Sequence, residues 1–246
     1  MSEVTNLRFR DKVAIIGGAS GGIGKGLAIA LAAEGAQVVI WATNGARLEK
    51  AGKEISARGG KVSSMKVNIR DYARVKESVD RVVAQYGKLD IMFPVVGGGL
   101  FKPFIDASPE FVKDGIEYNF TTTYNCFHTA LPHMVRQQSG RLMCFMSTMG
   151  GTPGLSIYGI AKAACRSMIE TIAVEHLKDH ITVNGLLPGI VLTPWHDKAF
   201  SGPDGDEMLA ELKARPLGLN TVENVARTAL NMLADDRCTG QILRLQ

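Results

Sequence analysis

The sequence lacks most features that indicate a secreted, membrane-bound or nucleic-acid-binding protein. Its four cysteines (Cys126, Cys144, Cys165 and Cys238) form no C-x-x-C pair, so we predict buried free thiols in a reducing compartment and no metal site. No apolar run approaches the roughly eighteen residues of a membrane span, and the first residues lack the apolar core of a signal peptide, which predicts a cytoplasmic protein. Lys and Arg are spread among the acids at a net charge of +4, so neither a nucleic-acid nor a membrane partner is expected.

The residues that are present predict an α/β protein. The chain has 246 residues, of which 46% are hydrophobic and 21% charged, and this is enough to bury a large core. Short β-branched segments alternate with longer segments of helical periodicity, which is typical of a doubly wound, mainly parallel sheet with helices on both faces. No internal repeat, low-complexity segment or linker interrupts this alternation, so we predict one domain over residues 1–246.

The alternation predicts seven strands and six helices. The strands are expected at Val13–Ile16, Gln37–Trp41, Ser64–Val67, Ile91–Val96, Arg141–Ser147, Thr182–Leu187 and Gln241–Leu245. The helices are expected at 23–33, 46–57, 72–86, 109–137, 158–177 and 221–234. The segment 195–215 contains Ser-Gly-Pro-Asp-Gly-Asp and a short amphipathic stretch, and it is compatible with either a substrate lid or a plain surface loop.

A glycine-rich turn follows the first predicted strand and opens the first predicted helix. It reads Gly17-Gly18-Ala19-Ser20-Gly21-Gly22-Ile23-Gly24. Glycines let the backbone turn tightly and approach a pyrophosphate, and the helix N-terminus offers N–H groups and a positive dipole end. The spacing differs from the common G-x-G-x-x-G pattern. We predict a dinucleotide site here, with a purely structural turn as the alternative.

Tyr158 and Lys162 are four residues apart in a predicted helix, so their side chains share one face. An ammonium ion about 4.5 Å from a phenol, at an effective dielectric near 20, stabilises the phenolate by about 4 kcal/mol. Such a phenol can act as a general acid or base near neutral pH. Taken alone, the spacing is more often that of a solvated helix face, so the interpretation depends on the other motifs.

Together these motifs resemble the classical short-chain dehydrogenase/reductase family over almost the whole chain. Three further features match the family: Asn119 in Glu-Tyr-Asn-Phe, Ser147 eleven residues before Tyr158, and the stretch Asn184-Gly-Leu-Leu-Pro188-Gly189-Ile-Val-Leu-Thr193. The resemblance implies a Rossmann-type domain. It also implies an oxidoreductase that transfers hydride between NAD(P) and a ketone or secondary alcohol.

The resemblance assigns a role to each of four catalytic candidates. Ser147 would donate a hydrogen bond to the substrate carbonyl, and Tyr158 would donate the proton as hydride reaches the carbonyl carbon. Lys162 would favour the phenolate and bind the nicotinamide ribose. Asn119 would hold a water that links Lys162 to solvent. In the oxidative direction, the Tyr158 phenolate would take a proton from the alcohol.

The family pattern also implies a set of cofactor contacts along the chain. The expected cofactor-binding residues are Gly18, Ser20, Gly22, Ile23, Gly24, Thr43, Asn44, Arg47, Asn68, Ile69, Val96, Gly97, Tyr158, Lys162, Pro188, Gly189, Val191 and Thr193.

The residues after the second predicted strand bear on the choice between NAD(H) and NADP(H). A carboxylate at the end of this strand would bind the ribose 2′-hydroxyl of NAD, but Ala42 stands there and none of the next six residues is acidic. Thr43, Asn44 and Arg47 can bind a 2′-phosphate, which favours NADP(H). The positions where phosphate-binding relatives often carry Arg are Gly21 and Thr43, so NAD(H) remains the alternative.

The sequence departs from the family at the end of the fourth predicted strand. Pro94-Val95-Val96-Gly97 replaces the usual Asn-Asn-Ala-Gly, and a proline removes a ladder donor, which predicts an early end to pairing. The glycines that follow are expected to widen the pocket above the nicotinamide. Asn68 replaces an Asp that contacts the adenine amine, and its amide oxygen can accept the same bond.

The substrate is indicated only in outline. Pocket candidates by analogy with the family are Gly98, Leu100, Thr148, Met149, Pro188, Trp195 and His196. These mostly apolar residues favour a small, largely apolar ketone or secondary alcohol, while a 3-oxoacyl thioester or a sugar also fits. A catalytically silent NAD(P)-sensing protein is a further alternative, and an S-adenosylmethionine-binding fold would leave Tyr158 and Lys162 unexplained. The resemblance also implies a homotetramer built from the helices at 109–137 and 158–177.

Overall fold

The computed structural model describes residues 7–99, 101–147, 151–191, 193 and 219–245, together with positions 207, 210, 211 and 214. Within these residues, seven strands form one sheet in the order β3-β2-β1-β4-β5-β6-β7, and every pairing is parallel. The strands are β1 Val13–Gly17, β2 Gln37–Ala42, β3 Lys61–Lys66, β4 Ile91–Pro94, β5 Gly140–Phe145, β6 Ile181–Leu187 and β7 Ile242–Arg244. The chain winds outward from β1 to β3 and then returns to β4 beside β1, which confirms the predicted doubly wound fold.

Three strand boundaries differ from the predictions by two or more residues, and one of them is the end of β5, at Phe145 instead of Ser147. β3 begins at Lys61, three residues before the predicted start, because this edge strand is half-exposed and its polar residues gave no apolar signal. β4 ends at Pro94 instead of Val96. Proline has no N–H group with which to continue a ladder.

Helices connect the strands and agree with the predictions to within one residue, except within the predicted helix 109–137 and at both ends of the predicted helix 158–177, which ends at Glu175 instead of 177. They are α1 Gly22–Ala33, α2 Gly45–Ala57, α3 Tyr72–Tyr86, α4 Pro109–Ile116, α5 Thr122–Gln137, α6 Ser156–Glu175 and α7 Val222–Ala234. The predicted helix 109–137 contains a π-helical turn, Glu117–Thr121, between α4 and α5. α6 begins two residues before its predicted start, which places Tyr158 in its first turn. Of the described helices, none is long and apolar enough to span a membrane.

The helices cover both faces of the sheet, as predicted. On one face, Ile16 belongs to the same buried apolar cluster as Leu31 of α1. On the other, its neighbour Ile15 belongs to the cluster of Phe127 of α5 and Ile169 of α6. This alternation follows from the two-residue period of a strand. Each fully buried side chain of this size contributes about 1.5–3 kcal/mol, so the two apolar layers hold the helices against the sheet.

The cysteines are free thiols within this framework. Cys126, Cys144 and Cys165 are buried, as predicted, whereas Cys238 is partly exposed. Burial raises the pKa of Cys126.

Gly26 marks a very close contact between α1 and α7. A β-carbon added there would lie 2.1 Å from Cγ1 of Val222. Glycine to alanine in a helix normally stabilises by about 1 kcal/mol, but overpacking costs about 1–3 kcal/mol. We therefore expect Gly26→Ala to lower the free energy of unfolding by up to about 2 kcal/mol in urea titration. Gly45→Ala, whose added carbon meets no atom within 4 Å, should not destabilise; equal losses in the two variants would contradict this packing.

Candidate active site

The predicted site segments follow the carboxyl ends of the first six strands. In a parallel sheet these ends lie along one edge, and ligands of doubly wound proteins bind in the crevice where the strand order reverses, here between β1 and β4. The segments are the turn 17–24 after β1, residues 43–47 after β2, 68–69 after β3, 96–98 after β4, Ser147 after β5 and 188–193 after β6.

The glycine turn is shaped for close backbone approach. Gly18 has φ +77°, and a β-carbon on it would lie 2.2 Å from the carbonyl oxygen of Val95. A β-carbon on Gly24 would lie 2.6 Å from the Gly18 carbonyl oxygen. α1 begins directly at Gly22 with neither a side-chain cap nor an acidic residue in its first turn. Its N-terminal N–H groups therefore remain available to an anion, as a pyrophosphate site requires.

Arg47 extends from the start of α2 towards this turn. The Asn44 side chain accepts a hydrogen bond of 3.0 Å from the Arg47 N–H and so caps α2. A β-carbon on Gly21 would lie 3.3 Å from Nη2 of Arg47. The guanidinium thus lies where a side chain at position 21 would begin. The acids of α2 pair with other cations.

Tyr158 and Lys162 share one face of α6, as the spacing predicts. The Lys162 ammonium lies 5.8 Å from the Tyr158 ring centroid, and Lys162 is only 6% exposed. Its Nζ donates a hydrogen bond of 2.9 Å to the main-chain carbonyl of Phe145. Phe145 ends β5, and Ser147 follows it two residues later. The structure therefore holds a buried cation beside a half-exposed phenol at the edge of the sheet.

Asn119 fastens the loop after β4 to the helices. Its Nδ2 donates to the Gly115 carbonyl at 3.0 Å, and its Oδ1 accepts from the Gly98 N–H at 2.8 Å. A β-carbon on Gly97 would lie 2.8 Å from the same oxygen and 3.4 Å from Nζ of Lys162. Both polar groups of the Asn119 side chain are thus already bonded within the protein, and Gly97 leaves the room that this arrangement needs.

A thiol that the sequence did not single out joins this cluster. Cys165 lies one turn after Lys162 on α6, and its Sγ donates to the main-chain carbonyl of Asn119 at 3.5 Å. The pKa of Cys165 is lowered, first by a hydrogen bond with Cys144 and also by the Lys162 charge, against the effect of burial. The sequence indicated only that Cys165 lies near Lys162, because residues three apart share one face of a helix.

The loop after β6 is held by a second residue that the sequence did not indicate. Asn220 donates from Nδ2 to the Pro188 carbonyl at 2.8 Å and pairs with Val191 in an isolated bridge. Gly189 has φ +65°, a conformation that glycine adopts readily. Val191 itself is buried. Thr193 lies against the glycine turn, 3.6 Å from a β-carbon on Gly22.

Polar groups of the loop after β3 also form hydrogen bonds within the protein. The Asn68 side chain accepts a hydrogen bond of 3.2 Å from the Arg70 N–H, while Ile69 is buried and its carbonyl accepts from Asn125. The predicted adenine contact at Asn68 would therefore use the second lone pair of its amide oxygen.

Several predicted residues have no structural description. The pocket candidates Leu100, Thr148, Met149, Trp195 and His196 lie outside the described residues, as does most of the segment 195–215.

The fold is that of a dinucleotide-binding domain, with its candidate site at the edge where the strand order reverses. The chain belongs to the short chain dehydrogenase family, whose sequence profile matches residues 12–204. The predicted family resemblance is thus confirmed, and with it an NAD(P)-dependent dehydrogenase or reductase.

Individual relatives cover most of the chain. It is 33% identical over 217 residues to the oxidoreductase UcpA of Salmonella typhimurium, which covers 85% of this chain and 82% of that protein. It is 31% identical over 242 residues to the 3-oxoacyl-[acyl-carrier-protein] reductase FabG of Thermotoga maritima, covering 96% of this chain and 97% of the relative. A solved short-chain type dehydrogenase/reductase from Mycobacterium ulcerans superposes with a TM-score of 0.89 at 26% identity, covering 96% of this chain and 89% of the other.

Proposed function

We propose that this protein transfers hydride between NADP(H) and a small, largely apolar ketone or secondary alcohol, with Tyr158 as the general acid or base. The observation that carries the proposal is the buried Lys162 ammonium, 5.8 Å from the Tyr158 ring at the edge where the glycine turn opens α1. A phenol beside a cation can exchange a proton in either direction of the reaction.

The residues at this edge fit a dinucleotide. The backbone at Gly18 has no room for a side chain, and the N-terminus of α1 offers uncapped N–H groups to a pyrophosphate. When bound, the nicotinamide supplies or accepts the hydride. Thr43, Arg47 and the loop after β6 surround this edge and are the further residues that would hold the cofactor.

Side chains of the protein would donate and accept the proton that accompanies hydride transfer. In reduction, the Ser147 hydroxyl donates a hydrogen bond to the substrate carbonyl oxygen, and the Tyr158 hydroxyl gives that oxygen its proton. Tyr158 is left as a phenolate, which the Lys162 ammonium stabilises until a proton returns from solvent. Asn119 holds the loop after β4 beside Lys162 through its bonds to Gly98 and Gly115.

The test is a turnover screen of ketones, secondary alcohols and 3-oxoacyl thioesters with NADP(H) and with NAD(H). Turnover is measured by the absorbance of the reduced nicotinamide. The proposal requires turnover with at least one carbonyl substrate. A rise in NADPH fluorescence on binding, with no turnover of any compound, would instead favour the NAD(P)-sensing alternative.

A 3-oxoacyl thioester is the second candidate substrate. It is favoured by the similarity to the Thermotoga maritima 3-oxoacyl-[acyl-carrier-protein] reductase, which covers 96% of this chain. In the same screen, a kcat/KM for an acetoacetyl thioester at least ten times that of simple ketones would select this substrate.

Arg47 is proposed to select NADP(H) by binding the 2′-phosphate. A hydrogen bond between charged groups contributes about 1.5–3 kcal/mol, which is about 10- to 100-fold in affinity. We therefore expect Arg47→Ala to raise the Kd for NADPH by about 10- to 100-fold and the Kd for NADH by less than about twofold, measured by nicotinamide fluorescence. Lys50→Ala removes another exposed cation of α2 and is the matched control. An equal loss of affinity for both cofactors would contradict the phosphate contact.

We also propose a cytoplasmic homotetramer that uses the helices at 109–137 and α6. Ile160 and Val174 of α6 are large apolar side chains that are 52% and 78% exposed, and burial between subunits would remove them from water. A monomer mass in light scattering would contradict this assembly.

A further inference from the structure

The pairing between β4 and β5 is shorter than β5 itself. β5 continues to Phe145, but its ladder with β4 stops after Met92↔Leu142. In this register the next ladder bond would run from the N–H of residue 94 to the Met143 carbonyl. Pro94 has no N–H, so the ladder cannot continue.

Because this ladder ends early, the Phe145 carbonyl accepts a hydrogen bond from a side chain instead of from β4. In a continued ladder this carbonyl would accept from the N–H of residue 96. It accepts instead from Nζ of Lys162 at 2.9 Å. After Pro94 the chain keeps its bond to β1, since the Val95 N–H donates to the Gly17 carbonyl at 2.8 Å.

The contact matters because the lysine is buried. Lys162 is 6% exposed, and a buried ammonium needs hydrogen-bond acceptors. The Phe145 carbonyl belongs to a strand that also pairs with β6, so it is a fixed acceptor. One of the three ammonium donors is then held by the strand, and two remain for a ribose hydroxyl and for the proton transfer at Tyr158.

We infer that Pro94 is a positioning residue: by ending the β4–β5 ladder, it assigns the Phe145 carbonyl to Lys162 and fixes the ammonium beside Tyr158. The effect on turnover rests on the proposed function, whereas the effect on cofactor binding rests only on Lys162 contacting the nucleotide. The two can therefore be tested separately.

The experiment is to restore the missing donor with Pro94→Ala. We expect the amide at residue 94 to be protected in hydrogen exchange and the Tm to be equal or higher, because the ladder gains a bond. We also expect the Kd for NADPH to rise and kcat to fall by about tenfold each, the lower end of the roughly 10- to 100-fold effect of one hydrogen bond to a charged group. A purely structural proline would give the opposite result for stability, since its removal would lower the Tm.

Two controls accompany this variant. Pro109→Ala removes an exposed proline from the first position of α4, where an N–H has no helical partner, and it should leave the Kd and kcat unchanged. Pro94→Val restores the same donor with a residue that suits a strand, and it carries the same test if Pro94→Ala does not fold.

A double-mutant cycle isolates the coupling between Pro94 and Lys162. On a Lys162→Met background, Pro94→Ala should cause no further loss of NADPH affinity. Equal losses with and without Lys162, or an unchanged Kd and kcat together with a protected amide at residue 94, would overturn the inference. Wild-type protein that binds NADPH but turns over no substrate would contradict the proposed function, while the binding cycle would still test the role of Pro94.

Discussion

Tyr158→Phe is expected to reduce kcat by about a thousandfold, within the range for loss of a general acid or base, and to leave the Kd for the cofactor within about threefold. The substitution removes one hydroxyl and keeps the ring that lies 5.8 Å from the Lys162 ammonium. Because the ring still fills the same space, the binding surface changes little while the transferable proton is lost. Steady-state kinetics with the best substrate from the screen, together with NADPH fluorescence titration, measure both effects.

Tyr124→Phe is the matched control for this prediction. Tyr124 lies on α5, is 38% exposed and packs against the His128 ring at a tilted angle, so loss of its hydroxyl should leave kcat unchanged. Retention of more than a tenth of the wild-type kcat by Tyr158→Phe would remove the assigned role. A parallel fall in cofactor affinity would show that the hydroxyl serves binding instead.

Gly18→Ala is expected to abolish cofactor binding. The residue has φ +77°, and its new β-carbon would lie 2.2 Å from the Val95 carbonyl oxygen and 2.9 Å from Cγ2 of Val96. Either the glycine turn or the loop after β4 must move, and both border the nucleotide. We expect the Kd for NADPH to rise by at least about a hundredfold and the free energy of unfolding to fall by about 2–4 kcal/mol, from backbone strain together with overpacking.

Gly87→Ala separates these two causes. Gly87 ends α3 with φ +79°, nearly the same conformation, but an added carbon there meets open space. It should destabilise the protein by about 1 kcal/mol through strain alone and leave cofactor binding unchanged. Equal losses of stability in the two variants would show that the contact with Val95 has no effect.

Elements whose sequence pattern matches their burial were predicted most closely. The bounds of α3 agree with the prediction at both ends, because Val75, Val79 and Val82 are buried with helical spacing, Asp71 caps the start and Gly87 ends the helix. The edge strand β3 was placed three residues late, because it is half-exposed. The π-helical turn was missed, because helical patterning continues through it and one extra residue per turn leaves no signal in composition.

The geometry of the candidate site was predicted where it follows from the spacing of side chains and missed where it depends on the main chain. The spacing of Tyr158 and Lys162 placed both on one helical face. Nothing in the sequence could indicate that the Phe145 carbonyl accepts from Lys162, or that the Asn119 carbonyl accepts from Cys165, because every residue has a main-chain carbonyl. Only the fold determines which of them faces a donor.

The bonds of Asn119 also affect how this edge of the sheet can open. Its side chain holds the Gly98 loop and the end of α4, and its carbonyl receives the Cys165 thiol of α6. The loop after β4 and α6, which are distant in sequence, therefore both bond to Asn119. We expect a local fluctuation that releases Asn119 to free the loop, the π-helical turn and the helix that carries Tyr158 together, as one cooperative unit.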